Sequence, residues 1–301
     1  MSSSELSVLR RPNDRLGRRR AINIFMELVA WLAAALAVFF LGIVVWSVAR
    51  KGFSQLSLDL FTKSQPIGQF GTGSEKLGLA NAFVGTLVIV GIATAIALPF
   101  GILIAIYVNE FAGKRIKNAV TLTLDVLAGV PAIVVGFFVY GLIVVGRGQS
   151  GYAAGFALSV LMLPLVSRAT IEVLALVPDS LREAALGVGA PRWRTTLGIV
   201  LPQTIGGVLT GATLAVARIA GETAPVLLVC SLVGQGINWN PSQALMTVPL
   251  AIFELSDQAD APEQALAWAG ALVLILFILF TSLLARWLAT RSRRKIAQAG
   301  R

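Results

Sequence analysis

The chain has 301 residues, of which 56% are hydrophobic and 13% charged, with a formal net charge of +10. Soluble domains carry about 25% charged residues; here the charges are bunched, leaving uncharged apolar runs at 28–49, 77–109, 126–146, 148–167, 195–217 and 264–285. With a mean hydropathy of +0.80, six runs that each reach the roughly 20 residues needed to cross a bilayer exclude a soluble core, while a single cysteine, Cys230, and no histidine exclude a disulfide framework and remove the commonest metal ligand.

In chain order, residues 1–25 form a basic polar tail without predicted structure. The first span, about 27–49, has Trp31 and Trp46 near its ends as interfacial anchors. It is too long for a signal-peptide core and is read as a retained anchor. A segment over 50–76 containing Gly68, Gly71 and Gly73 reads as a loop with a short helix. The second span, about 79–108, should bend at Pro99-Phe100-Gly101. A short turn at 110–117 makes the third span, about 122–146, its antiparallel neighbour. That span holds Asp125 and the stretch 127–136, where Gly and Pro allow close helix approach. The fourth span, about 149–168, precedes a long loop, and the fifth runs over about 203–233. A polar segment, 234–263, is interrupted by Gly, Asn and Pro and is not counted as a span. The sixth span, about 264–286, leads into a basic tail, 290–301.

The basic residues give the bundle a direction. If the first tail is cytoplasmic, nineteen Lys and Arg fall inside, five outside, and Arg218 lies within a span. Such a bias is the positive-inside pattern, and with six spans both termini are cytoplasmic. It also explains the net charge without nucleic acid, because the basic residues flank spans instead of forming one patch.

The loop at 178–202 carries the strongest local signal. Pro178-Asp179 ends one helix, and Ser180-Leu181-Arg182-Glu183 has the spacing of a capping box. The new helix should stop at Gly187 or Gly189, and Pro191 suits the first turn of another that ends at Leu201-Pro202. Glu183-Ala184-Ala185, Gly189 and the Ile199–Pro202 stretch then resemble, position for position, the EAA loop of ABC-importer permeases. The resemblance implies that this loop, with Glu183, Ala184, Ala185, Gly189, Leu201 and Pro202 as its marker positions, couples to an ATP-hydrolysing subunit, and that Glu183, Ala184, Ala185 and Gly189 make the contact.

Further stretches are similar to one branch of that family. Ala217-Arg218-Ile219-Ala220-Gly221-Glu222-Thr223-Ala224-Pro225 matches the ARxxGETAP segment of PstA-type phosphate permeases, and Val130-Pro131-Ala132-Ile133-Val134-Val135-Gly136 also looks like that family. The resemblance implies an all-α polytopic membrane bundle, 26–289, with the type I ABC importer (MetI-like) permease fold. It also implies partners: a PstC-type second permease, a dimer of PstB-type ATPase subunits that use ATP and Mg, and a periplasmic PstS-type phosphate-binding protein. The membrane would be the bacterial inner membrane.

The residues add a chemical argument for an anion. Arg218 and Glu222 are four apart, so on a continuous helix they share a face and can pair. A charged residue at mid-bilayer costs about 2.5–3.5 kcal/mol and usually faces a bundle interior or a water-filled path. Arg218, Glu222 and Thr223 are therefore candidates for the pathway or its gate, with a purely structural ion pair as the competing role. Weaker candidates are Asp125 and the i,i+4 pair Arg168/Glu172 near the inner interface, where bracing of the loop is the competing role.

No nucleophile–base or metal constellation is visible, and no phosphate-loop sequence occurs, so neither catalytic nor metal-ligating residues are assigned. Gly146–Gly151 fits GxGxxG but connects two spans and does not follow a strand. Gly207 and Gly211 have GxxxG spacing, which suits helix packing. Permeation of another oxyanion (molybdate, sulfate or phosphonate) and ion-coupled secondary transport are the alternatives; the latter needs mid-membrane coupling carboxylates or histidines and repeats, of which the sequence offers Glu222 alone.

Overall fold

The computed structural model describes residues 14–64, 78–230, 236–257 and 261–299. Residues 1–13, the glycines Gly68, Gly71 and Gly73, and positions 231–233 of the expected fifth span lie outside the described residues. Every regular element among the described residues is helical.

The chain divides into two units, Met1–Arg50 and Lys51–Arg301. The first carries most of α1 (Asp14–Phe53), a helix of 40 residues. Its portion Gly17–Phe53 has a mean hydropathy of 2.8, and Phe25, Trp31, Phe39, Phe40 and Trp46 are all exposed along it, as suits a lipid-facing helix. The helix starts at Asp14, so Arg15, Arg18, Arg19 and Arg20 stand on its first turns and not in an irregular tail. Extending an existing helix needs no new nucleus, and Arg and Leu are good helix formers. At the other end of the chain, α12 (Ala261–Ala299) likewise runs on through residues expected in the basic tail.

In the second unit, α2 (Asp59–Thr62) precedes α3 (Ala80–Ile106), which passes through Pro99 and ends in a π turn, Tyr107–Phe111. Next come α4 (Lys114–Gly129) and α5 (Ala132–Val139), the latter with its own π turn, Tyr140–Val144. After α6 (Gly151–Leu174) and α7 (Asp179–Gly187), α8 (Arg192–Thr195) passes through a π turn, Thr196–Val200, into α9 (Leu201–Ala220). Two short helices, α10 (Ala224–Val229) and α11 (Val248–Ser256), precede α12. At nine residues α11 cannot span a bilayer, and it packs on α12.

The core is built on close backbone approach. Helices α3 and α6 share the most extensive contact, with Ala93, Ala97, Ala153, Ala154 and Ala157 fully buried. A Cβ on Gly155 would lie 2.5 Å from a methyl of Ile92, so only glycine fits that crossing. The GxxxG pair works the same way between α9 and α6: a Cβ on Gly207 would meet Val173 at 2.5 Å, and one on Gly211 would meet Ala169 at 2.6 Å. In lipid, apolar side chains gain little by leaving the solvent, so such packing contacts hold helices together.

One expected span is not a straight helix. Helices α4 and α5 meet at 95°, the geometry of a broken span or a re-entrant loop. Val130 and Pro131 are both extended, with ψ of 129° and 133°. Proline disfavours the helical region for the residue before it and lacks its own N–H, so α4 ends there. The expected third span at 122–146 is thereby corrected: its first half belongs to α4, which begins at Lys114, and its second half turns sharply away. Among the described residues five helices are long and apolar enough to cross a membrane, and the number is six if the bent pair counts as one span.

Candidate functional site

The loop between α6 and α9 is a compact helical element. α7 covers Asp179–Gly187, but its N-cap is Pro178, without a side-chain cap hydrogen bond. The expected capping box is therefore not formed: Ser180 already lies inside the helix, and Asp179 occupies its first turn, where a negative charge meets the positive end of the helix dipole. The C-terminus is closed by a Schellman motif, in which Ala190 N donates to Ala185 O at 3.1 Å and Gly189 N to Leu186 O at 2.9 Å. Gly189 has φ +85°, which side-chain-bearing residues adopt only with strain. The glycine of the EAA pattern is thus the stop of this helix.

α7 has one buried side and one exposed side. Ala185 is buried and Arg182 mostly so, whereas Glu183, Ala184, Leu181, Leu186 and Val188 are exposed. The end of the loop also differs from expectation. Leu201 and Pro202 do not terminate a helix; α8, the π turn and α9 run on as one span, Arg192–Ala220. The wider turn directly before Pro202 accommodates a residue with no N–H to donate to the preceding turn.

Deep in the bundle a second break lies beside the first. α9 ends at Ala220, and Gly221, Glu222 and Thr223 separate it from α10. Arg218 and Glu222 are therefore not i,i+4 neighbours on one helix, and no ion pair joins them in the structure. Arg218 is exposed, while Glu222 and Thr223 are half-buried. The Gly207–Val173 and Gly211–Ala169 contacts run antiparallel, and continuing that register puts Arg218 level with Met162, halfway along α6. Across the break, a Cβ on Gly136 of α5 would lie 2.8 Å from Pro225 Cα of α10. The two stretches singled out in the sequence, 130–136 and 217–225, thus pack on each other at two interrupted helices.

The weaker candidates pair differently from their spacing. Arg168 Nη2 lies 2.6 Å from Asp125 Oδ1, joining α6 to α4. Glu172 stays exposed one turn further along α6. Because α6 continues to Leu174 instead of ending near 168, Arg168 and Glu172 stand on it and not below it.

Residues 97–294 match the family of binding-protein-dependent transport system inner membrane components. The chain is 37% identical over 276 residues to the phosphate transport system permease protein PstA of Haemophilus influenzae, covering 91% of this chain and 96% of that one. The chain belongs to this permease family, in its PstA branch. The Yersinia pestis PstA is 40% identical over 270 residues, 89% of this chain and 90% of that one, and PstA 1 of Mycobacterium tuberculosis is 43% identical over 227, 72% of each. Among solved structures, a bacterial alginate ABC transporter chain superposes with TM-score 0.63 at 18% identity, covering 91% of this chain and 97% of that one. A chain of the inward-facing MetNI methionine transporter does so with TM-score 0.55 at 18% identity, covering 70% and 93%. These share the type I importer permease fold.

The permease also holds a charged joint that sequence reasoning missed. Arg182 of α7 pairs with Glu110 of the α3 π turn at 3.0 Å, with side chains only 17% and 8% exposed. Its Nη1 donates to Val177 O at 2.7 Å and to Asp179 Oδ1 at 3.0 Å. Its Nη2 donates to Leu174 O at 3.0 Å, at the C-terminus of α6. Glu110 holds the guanidinium even further into its charged range, through hydrogen bonding that outweighs desolvation. The partners are 72 positions apart, so no local spacing could reveal them; the one local signal is a carboxylate directly after an apolar run. A cavity of about 430 Å³ adjoins the joint, lined by Asn109, Lys117, Arg192 and Thr195 among others.

Proposed function

We propose that this chain is the permease subunit of an ABC importer and forms half of the membrane pathway for ATP-driven uptake of inorganic phosphate. The observation that carries it is identity of 37–40% over about nine-tenths of the chain to permeases named for phosphate transport. The chain itself performs no catalysis. A PstB-type ATPase dimer binds ATP and Mg, a PstC-type permease supplies the other half of the path, and a PstS-type periplasmic protein delivers the anion. Both termini lie in the cytoplasm, so that 178–202 meets the ATPase there. Glu183 and Ala184, exposed on α7, dock in it, while Ala185 and Gly189 shape the helix and Leu201-Pro202 tie it to α9.

Within the bundle, Arg218 presents a guanidinium at mid-depth beside two helix breaks, a suitable place to meet an anion whose oxygens take two N–H groups at once. Glu222 and Thr223, in the break itself, gate that path. Movement of α7 by the ATPase would shift access between the two membrane faces. Reconstitution of the four components in proteoliposomes with radiolabelled phosphate tests this function. Uptake requiring ATP and abolished by Arg218→Gln in a normally assembled complex is the expected result. Phosphate transport by this chain without an ATPase, or uptake of sulfate or molybdate in place of phosphate, would overturn it.

A further inference from the structure

α7 has two faces with different jobs. Its exposed face, with Glu183 and Ala184, is the docking surface proposed above. The opposite side carries Arg182, and the chain leading into α7 from α6 is only the short turn 175–178. A helix of nine residues held by such a turn alone would pivot when pushed. Arg182 adds further ties. The guanidinium has five N–H groups, and Nε faces both oxygens of Glu110 at 3.3 and 3.2 Å. Nη2 is shared between Glu110 and Leu174 O, and Nη1 between Val177 O and Asp179. All three nitrogens are engaged, and the acceptors come from the end of α3, the end of α6, the turn between α6 and α7, and α7 itself. Glu110 is further oriented by Asn109 Nδ2 at 2.8 Å. Beside the joint, Ala105, Leu174, Val177 and Val200 form a small apolar cluster.

We propose that Arg182 is a positioning residue that clamps α7 to the ends of α3 and α6, so that displacement of α7 by a docked ATPase moves both membrane helices together. The proposal rests on the assignment of 178–202 as the ATPase-coupling loop. A lysine keeps the charge but offers a point contact in place of the planar fork. Removing one partner of a shielded pair leaves the other charge unmatched.

The test uses the complete transporter in proteoliposomes, with ATP hydrolysis and phosphate uptake measured in the same vesicles. In Arg182→Lys and Glu110→Gln the amount of ATPase bound per permease is expected to be normal, while phosphate moved per ATP falls by at least about fivefold. Glu110→Asp, which restores the carboxylate, should recover part of that ratio. An unchanged ratio in either assembled variant overturns the clamp. Should Arg182→Lys fail to assemble, Glu110→Gln decides alone; if neither assembles, the joint serves folding only and the proposal falls. Ala184→Arg, on the exposed face, separates this from the underlying assignment. It should expel the ATPase, and retention of the ATPase in that variant would sink the coupling-loop reading whatever the clamp variants do.

Discussion

Gly189 is the position at which a single Cβ should disconnect the loop from its partner. The residue sits at φ +85°, and a Cβ there would meet nothing within 4 Å, so the whole penalty of Gly189→Ala comes from the backbone. The left-handed conformation costs an L-residue about 1–2 kcal/mol. If the turn yields, the Ala190–Ala185 and Gly189–Leu186 hydrogen bonds are lost with it. That penalty corresponds to a roughly 5- to 30-fold shift away from the capped turn, and affinity for the ATPase should fall by the same factor. Gly187→Ala is the internal control. It also meets no atom within 4 Å, but its φ lies outside the positive range, and it ends α7, where alanine is the better helix former. Binding of the purified ATPase to nanodisc-held permease complex would compare the two. Equal affinities for Gly189→Ala and Gly187→Ala would refute the role of the left-handed stop, whereas Gly189→Asn should be milder than alanine because asparagine tolerates that conformation.

Gly136→Val would force side-chain atoms into Pro225 and Leu228, and overpacking of this kind costs about 1–3 kcal/mol; a thermal melt of the detergent-solubilised permease should show a lower Tm, and an unchanged Tm would contradict the packing of α5 on α10. Asp125→Asn breaks the Arg168 pair, whose side chains are 46% and 41% exposed; solvent screening holds the loss well under about 1 kcal/mol, and raising the salt concentration should shrink the difference from wild type. Glu254, half-buried on α11, has its carboxyl pushed up to about 7 by desolvation. The folded state therefore holds the proton more tightly than the unfolded one, and stability should decline as pH rises from the ordinary carboxyl range through about 7. Glu254→Gln should flatten that part of a Tm–pH profile, and a profile unaltered by the substitution would show that the carboxyl is not desolvated.

Residue order alone determined what depends on composition and on neighbours close in the chain. Uncharged runs of bilayer length announce helices because lipid offers backbone groups no other partners. A stop at Gly187 or Gly189 and the short helix before it were likewise readable from the glycines and their surroundings, as was the helix packing at Gly207 and Gly211; the structure chose Gly189. Tertiary structure decided the rest. Arg218 and Glu222 were paired by their spacing, yet the helix ends between them at Ala220. Arg168 has a carboxylate four residues on, but takes Asp125 from another helix. The capping box was superseded because α7 begins two residues earlier, at Asp179 with Pro178 as its N-cap. Pro131 was expected to allow close helix approach; it also ends α4, and the third span bends through 95° there, with α5 packed on α10. The joint of Glu110 with Arg182 joins residues 72 positions apart. Such pairings depend on where whole helices lie, and a one-dimensional pattern holds that information only for residues within a turn or two of each other.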